Sequence, residues 1–175
     1  MEKSTRIIKV KRYVSPVADM LIGIYDGKVC FCDWARPDGG GNPAVASRLR
    51  RHLGVDMEWG HDPLHDMVEA QFDEYFAGRR KEFDFPYMLV GTEFQLMVWR
   101  SLAELAWGER ISYSELATRL GKPKAVRAVA NAVGANPISI AVPCHRIVGV
   151  DGSLTGYAGG LAVKSRLLAI ESEER

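Results

Sequence analysis

SYSELATRLGKPKAVRAVANAVGANPISIAVPCHR, residues 112–146, is the stretch on which the fold turns. Ser112-x-x-Glu115 has the form of a capping box, in which each side chain satisfies the other's backbone N–H, and it opens a short helix through Leu120. Gly121 is placed to end that helix, and Pro123 suits the first turn of the next. On the second helix Val126, Val129, Ala130 and Val133 share one face, while Lys124, Arg127 and Asn131 share the opposite one. Two short helices joined by Gly-Lys-Pro fit a helix-turn-helix. Asn136-Pro137 then leads into residues 138–142, an apolar run read as a short buried strand that delivers Pro143, Cys144, His145 and Arg146.

Upstream of this stretch, Thr92-x-x-Gln95 is another capping-box pattern, and Phe94, Met97, Val98, Leu102 and Leu105 continue from it as one helical stripe. Further back, residues 6–14 and 20–34 are rich in Ile, Val, Tyr and Phe, as strands are. Asp26-Gly27 divides 20–25 from 28–34 and predicts a two-residue hairpin, since such a turn needs positive φ. Residues 36–43 form a loop of Pro, Asp, Gly and Asn, and no periodicity survives it. Leu64, Met67, Val68, Phe72, Tyr75 and Phe76 then predict an amphipathic helix over 63–77, ended by Gly78, with 79–90 as a connector. Downstream, residues 161–171 form a last helix ending in Leu-Leu-Ala-Ile-Glu. The reading is of an α/β (α+β) chain with a strand-rich first part, residues 1–88, and a mostly helical second part, residues 89–175.

Charge places a nucleic-acid surface. The whole chain carries a formal +1, so it is no polycation. Residues 112–136 hold four basic side chains (Arg119, Lys122, Lys124, Arg127) against one acid (Glu115), whereas residues 1–88 hold 13 basic and 14 acidic. The second part is therefore the side expected to face DNA. No stretch approaches the roughly 20 apolar residues of a membrane span. The polar start Met1-Glu-Lys-Ser-Thr-Arg6 has no apolar signal core behind it. These readings imply an intracellular, reducing setting, and three cysteines suit free thiols there.

Cys144 is the candidate nucleophile. A thiol of pKa about 8.5 is only slightly ionised at neutral pH, so a reactive cysteine needs a base or a positive field. His145 supplies the base, through a bridging water where the two side chains point apart, and Arg146 adds positive charge. Glu171, at the end of an apolar helix, could orient the histidine as the third member of a triad does; on spacing alone it reads as a frayed, solvated terminus. Cys30 and Cys32 share one face of a strand and read as core thiols. His52, His61 and His65 show no metal-ligand spacing. Arg127 is a helix-surface residue that could enter a groove and fill the space of an extruded base. Tyr113 opens the first helix of the motif with a hydroxyl to offer, Asn136 is a turn residue, and Gly156, Gly159 and Gly160 around Tyr157 make a permissive loop.

Taken in order, these motifs resemble the O6-alkylguanine-DNA alkyltransferases. The resemblance is carried by Ile111-Ser112-Tyr113, Arg127-Ala128-Val129, Asn136-Pro137, Pro143-Cys144-His145-Arg146-Ile147-Val148, residues 156–164 and residues 167–171, and covers about residues 92–171. Residues 72–78 and the hairpin look like the family's N-terminal domain, which has a ribonuclease-H-like fold. The resemblance implies direct, single-turnover transfer of the alkyl group from O6-alkylguanine (and O4-alkylthymine) in double-stranded DNA to Cys144, by a monomer that needs no cofactor. It implies His145 as the base acting through a water, Glu171 as its orienting partner and Asn136 as the fastener of the active-site turn. Tyr113 would help rotate the nucleotide and donate to the guanine ring. Arg127, with Lys124 and Ala128, would meet the DNA from the minor groove, Arg127 as the finger. Val142, Tyr157 and Ala158 would meet the base. Some members carry serine where Ala158 stands, and the zinc ligands of other members have no match here.

Three other readings stand beside this one. A non-enzymatic lesion binder of the same shape would carry another residue in place of Cys144. A helix-turn-helix regulator would bind a specific sequence as a dimer. A Cys-His hydrolase would turn over repeatedly.

Overall fold

The computed structural model describes residues 6–172; the polar start read as lacking a signal core lies mostly outside them, as do residues 173–175. Strands β1 (Ile7–Tyr13), β2 (Met20–Tyr25) and β3 (Lys28–Trp34) form an antiparallel meander. The Asp26-Gly27 turn joins β2 to β3 with φ of 49° and 71°, the left-handed pair that a two-residue hairpin requires. The loop at 36–43 does not end the periodic structure, as the sequence suggested. Helix α1 (Pro43–Leu53) follows it, capped by Asn42 and closed by Gly54 in the left-handed region. Strand β4 (Asp56–Trp59) then pairs parallel with β1, giving the order β3-β2-β1-β4. A parallel pair cannot be joined by a tight turn, and α1 is the crossover. Its apolar stripe of Val45, Leu49 and Leu53 is masked in sequence by Arg48, Arg50, Arg51 and His52.

Cys30 and Cys32 face opposite sides of the sheet, contrary to their i, i+2 spacing. Gly23 pairs with Phe31 but Ile24 pairs with Val29, so Cys30 is the extra residue of a β-bulge and the alternation is reset there. Cys30 packs with Ile8, Phe31, Val45 and Leu49 under α1. Cys32 packs on the other face with Met20, Ile22, Trp99 and Ile138. A Cβ at Gly23 would stand 2.1 Å from the Phe31 ring, so the bulge needs glycine opposite it.

Helix α2 (Pro63–Phe76) spans the interval its periodicity predicts, with Asp62 and His65 forming its capping box. Helix α3 (Glu93–Ala103) starts from the predicted Thr92–Gln95 box. Ile111–Ser112 (β5) leads into α4 (Tyr113–Arg119), and Ser112 accepts the Glu115 N–H at 3.0 Å. The reciprocal half of that box is replaced, because the Glu115 carboxylate pairs with Arg119 one turn on. Helix α5 (Val126–Gly134) begins three residues later than Pro123 implied; Pro123 sits in the turn between the helices. Residues 138–142 are not a strand. They form a tight turn with one isolated bridge, Cys32 to Ile138, because Asn136 captures the backbone that a strand would need. A 3-10 turn (Cys144–Arg146), β6 (Ile147–Val148, parallel to β5) and α6 (Leu161–Ser172) complete the chain.

The larger core cluster draws on both parts of the chain. Met20, Ile22 and Trp34 from the sheet and Phe72 and Tyr75 from α2 meet Trp99, Leu102, Val129, Ile138 and Leu167. Trp99 is fully buried and donates its indole N–H to the Ala132 carbonyl at 2.8 Å, fixing α5 against α3. No helix among the described residues is long and apolar enough to cross a membrane.

Candidate active site

Cys144 is presented by a fastened turn. Buried Asn136 donates to the Val142 carbonyl at 2.8 Å and accepts from the Ile138 N–H at 3.0 Å, so one side chain closes both ends of 138–142. The Cys144 N–H donates to the same Val142 carbonyl at 2.8 Å. Within the turn Ile140 has φ of 70°, a conformation costing a β-branched residue of order 1–3 kcal/mol, which the surrounding contacts must hold. Strand β3 supplies much of that hold. Cys32 N–H donates to Pro137 O (2.9 Å), Ser139 N–H donates to Cys32 O (2.8 Å), and the Ser139 hydroxyl donates to Asp33 Oδ1 (3.3 Å).

His145, next to Cys144 in the chain, meets Glu171 in the core. His145 is fully buried and its Nε2 lies 2.6 Å from Glu171 Oε1. The other ring nitrogen, Nδ1, is buried and has no protein partner. Burial lowers the histidine's pKa, opposed by Glu171, so the ring is neutral. A neutral ring bonded to a carboxylate through Nε2–H leaves the Nδ1 lone pair to accept a proton. Glu171 is no frayed end: α6 carries it into the core, where its carboxylate also takes Arg146 Nε (2.9 Å) and Nη2 (3.0 Å) and the Tyr75 hydroxyl (2.9 Å). Arg146 therefore does not serve Cys144, as the sequence suggested. Its guanidinium is committed to Glu171 and to the Leu105 carbonyl, at 2.6 Å.

Burial would raise the Glu171 pKa, but His145 and Arg146 outweigh it and hold it at about 2, below the ordinary 4.5. A carboxyl depressed on folding stabilises the native state above its unfolded value and loses that contribution as pH falls through the folded one. Stability toward guanidinium chloride is therefore expected to hold down to about pH 4.5 and to fall between there and pH 2. An unfolding midpoint flat across that interval would remove Glu171 from the network.

Burial pushes the Cys144 thiol up to about 11, with an Asn136 hydrogen bond and the Lys164 charge acting against it. Lys164 is fully buried and donates to Ile147 O (2.5 Å) and Thr155 O (2.8 Å). The thiol opens on a cleft of about 430 Å3 lined by Tyr113, Asn136, Ser139, Thr155, Tyr157 and Ala158 among others. That is within the range that holds one small flat ligand. The Tyr113 hydroxyl donates to Thr155 O (3.2 Å), and the Tyr157 hydroxyl accepts the Trp34 indole N–H (3.0 Å).

Of the residues read from sequence, Tyr113, Asn136, Cys144, Tyr157 and Ala158 meet at this cleft. His145 and Glu171 are buried and do not line it. Val142 is buried outside the cleft and contributes its carbonyl to Asn136. Lys124, Arg127 and Ala128 are exposed on the turn and on α5. Nothing in the sequence pattern singles out Lys164, Tyr75, Asp33 or Trp34 as site residues. Lys164 shared the buried face of α6 with Leu167, Leu168 and Glu171, a spacing that was visible. Asp33 is buried, with its pKa raised by that burial to about 6 even though Trp34 N–H, Ser139 and Asn42 bond it. Among the described residues no group of three His, Cys, Asp or Glu side chains could hold a metal ion.

The arrangement offers a latent thiol, a neutral histidine oriented by a carboxylate, and a cleft beside a helix-turn-helix. The family model for the 6-O-methylguanine DNA methyltransferase DNA-binding domain matches residues 93–173. The chain is 41% identical over 161 residues to the methylated-DNA–protein-cysteine methyltransferase of Haemophilus influenzae, a match spanning 91% of this chain and 83% of that one. It is 50% identical over 102 residues to the inducible methylated-DNA–protein-cysteine methyltransferase of Bacillus subtilis, spanning 58% of this chain and 57% of the relative. Among solved structures, the Mycobacterium tuberculosis O6-methylguanine methyltransferase superposes with a TM-score of 0.77 at 34% identity, covering 94% of this chain and 92% of that one. The Mycobacterium tuberculosis OGT in complex with DNA superposes with a TM-score of 0.76 at 35% identity, over the same shares of the two chains.

Proposed function

The chain belongs to the O6-methylguanine-DNA methyltransferase family, and from that premise we propose that it repairs O6-alkylguanine in double-stranded DNA by moving the alkyl group onto Cys144. The observation that carries this reading is the thiol itself: Cys144 lines a base-sized cleft, and the next residue, His145, is buried and paired with Glu171. The reaction is displacement at a saturated carbon. The new S–C bond forms as the bond from that carbon to O6 breaks. The thiol proton passes to His145 Nδ1 through a water, and guanine, leaving with its electron pair, regains a proton on its ring. Tyr113, turning from the Thr155 carbonyl, donates to the ring as charge builds there, a contribution of about 10²–10⁴-fold for such a group. Tyr157 and Ala158 form the wall against the base. The product is a thioether that water does not cleave, so each molecule acts once.

The reacting carbon lies inside the duplex, so the nucleotide is extruded, and Arg127 takes its place from the minor groove side. The basic turn and α5 hold the phosphates, and the affinity falls with salt. The monomer works in the cytoplasm, or in the nucleus of a eukaryotic cell. Residues 89–175 carry the chemistry and the DNA contacts, and residues 1–88 brace them. O4-alkylthymine, presenting an alkyl group on the equivalent edge of a base, is a second substrate.

The test is intact mass after mixing with a short duplex holding one O6-methylguanine. One methyl per protein, never more, is the expected result; no addition would sink the reading. Arg127→Ala separates extrusion from chemistry. Its rate on the duplex is expected to fall by about 30-fold, the equivalent of roughly 2 kcal/mol of extrusion energy, while its rate on free O6-benzylguanine falls far less. Equal losses on both would end the finger assignment.

A further inference from the structure

Glu171 receives more donors than a histidine-orienting carboxylate needs, and one arrives from the opposite part of the chain. Its Oε1 accepts from His145 Nε2, the Tyr75 hydroxyl and Arg146 Nη2, and its Oε2 accepts from Arg146 Nε. Tyr75 lies on α2, 96 residues away in sequence. It is fully buried, and its ring is set edge-on against Phe76 and Trp107 and tilted against Phe83. Packing thus leaves the hydroxyl one direction to point, and Glu171 stands there at 2.9 Å.

The donors matter because of the short His145–Glu171 contact. A carboxylate bonded only to an imidazole in a dry site pulls on the shared proton and stabilises the imidazolium. Each further donor to the ionised carboxylate lowers its basicity. We propose that Tyr75 is a positioning residue for alkyl transfer: with Arg146 it saturates Glu171, so the carboxylate fixes His145 in the Nε2–H form without making the ring too basic to stay neutral. The proposal rests on the alkyl-transfer reading of Cys144. Nδ1 then keeps its lone pair for the thiol proton at neutral pH, consistent with its being buried without a protein partner. The charged and titratable groups acting on the ring are Arg146 from the 3-10 turn and Lys164 and Glu171 from α6, with Tyr75 from α2 reaching it through Glu171 and Cys144 its neighbour in the chain. Arg146 and Lys164 both oppose a charge on His145, and the Tyr75 hydroxyl acts in the same direction through Glu171.

Tyr75→Phe keeps the ring and removes the single hydroxyl donor. Glu171 becomes more basic, so the His145 titration moves up by about half to one pH unit. The acid limb of the rate of thioether formation with free O6-benzylguanine, followed by intact mass from pH 5 to 9, should move by the same amount. The variant then loses up to about three- to tenfold at the acid end of that range, where His145 is protonated, and little at pH 8. A pH-independent loss, or an unchanged profile, overturns the proposal, since a tyrosine that merely packs would give one or the other. The second measurement is nitrogen NMR of the imidazole in the unmodified chain, which needs no variant to fold and no substrate. Protonated Nε2 with bare Nδ1 at pH 7 is the expected tautomer, and protonated Nδ1 refutes the proposal. No thioether on the unmodified chain at any pH would instead overturn the alkyl-transfer reading, and the NMR result distinguishes the two failures.

Discussion

Cys144→Ala is expected to take up no methyl group from an O6-methylguanine duplex while still binding it. The loss is complete, not graded, because no other thiol can stand in. Cys30 is buried under α1 with its pKa pushed to about 12, and Cys32 lies fully buried with its pKa also raised by burial. Neither lines the cleft. The measurement is intact mass against time, with binding followed separately by fluorescence of a labelled duplex. A methyl adduct on the alanine variant would relocate the acceptor. Retained binding without uptake would place this variant where the non-enzymatic lesion binders stand, and would show that recognition does not need the sulfur.

Glu171→Ala is expected to be the most destabilising single change in the site, by about 3–5 kcal/mol. Four donor groups from three residues converge on that carboxylate, and its removal leaves the Arg146 guanidinium, 6% exposed, as an uncompensated buried charge. His145 loses the partner that fixes its tautomer, so the folded remainder should also transfer alkyl groups slowly. Glu171→Gln should cost less in stability, because the amide oxygen still accepts, yet nearly as much in rate. Denaturant unfolding of the two variants checks the order. A loss below about 1 kcal/mol for the alanine would mean that water enters and replaces the network.

The parts of the fold legible in sequence are those where local chemistry and tertiary structure agree. Asp26-Gly27, Thr92–Gln95 and the 63–77 periodicity each state a local preference that the packed chain keeps. Helix α1 was hidden because its apolar stripe, Val45, Leu49 and Leu53, is set among Arg48, Arg50, Arg51 and His52, although Asn42-Pro43 and Gly54 mark its ends. Residues 138–142 misled for the opposite reason. Their Ile, Ala and Val content reads as a strand, but the Asn136 side chain intervenes and Ile140 is forced to positive φ. The bulge at Cys30 is a property of two strands together and leaves no mark in either alone.

The site divides in the same way. Cys144, His145, Asn136 and Tyr113 were legible because they lie within one ordered stretch. The role of Glu171 came through resemblance, since a carboxylate near a polar tail looks solvated until the helix is docked. Tyr75 and Trp34 were read as core or not at all. Their polar atoms find partners across more than 90 residues of chain, and periodicity carries no information about which atom a buried hydroxyl or indole will meet.

The raised thiol pKa of Cys144 has a consequence for the protein's working lifetime. At about 11, only about one molecule in ten thousand carries a thiolate at neutral pH. A reagent that is used up by a single event is lost just as surely to a stray peroxide or a soluble electrophile as to its proper target. Keeping the sulfur protonated until a base fills the cleft makes the resting protein chemically quiet. The same burial that slows the nucleophile thus preserves the population held in reserve.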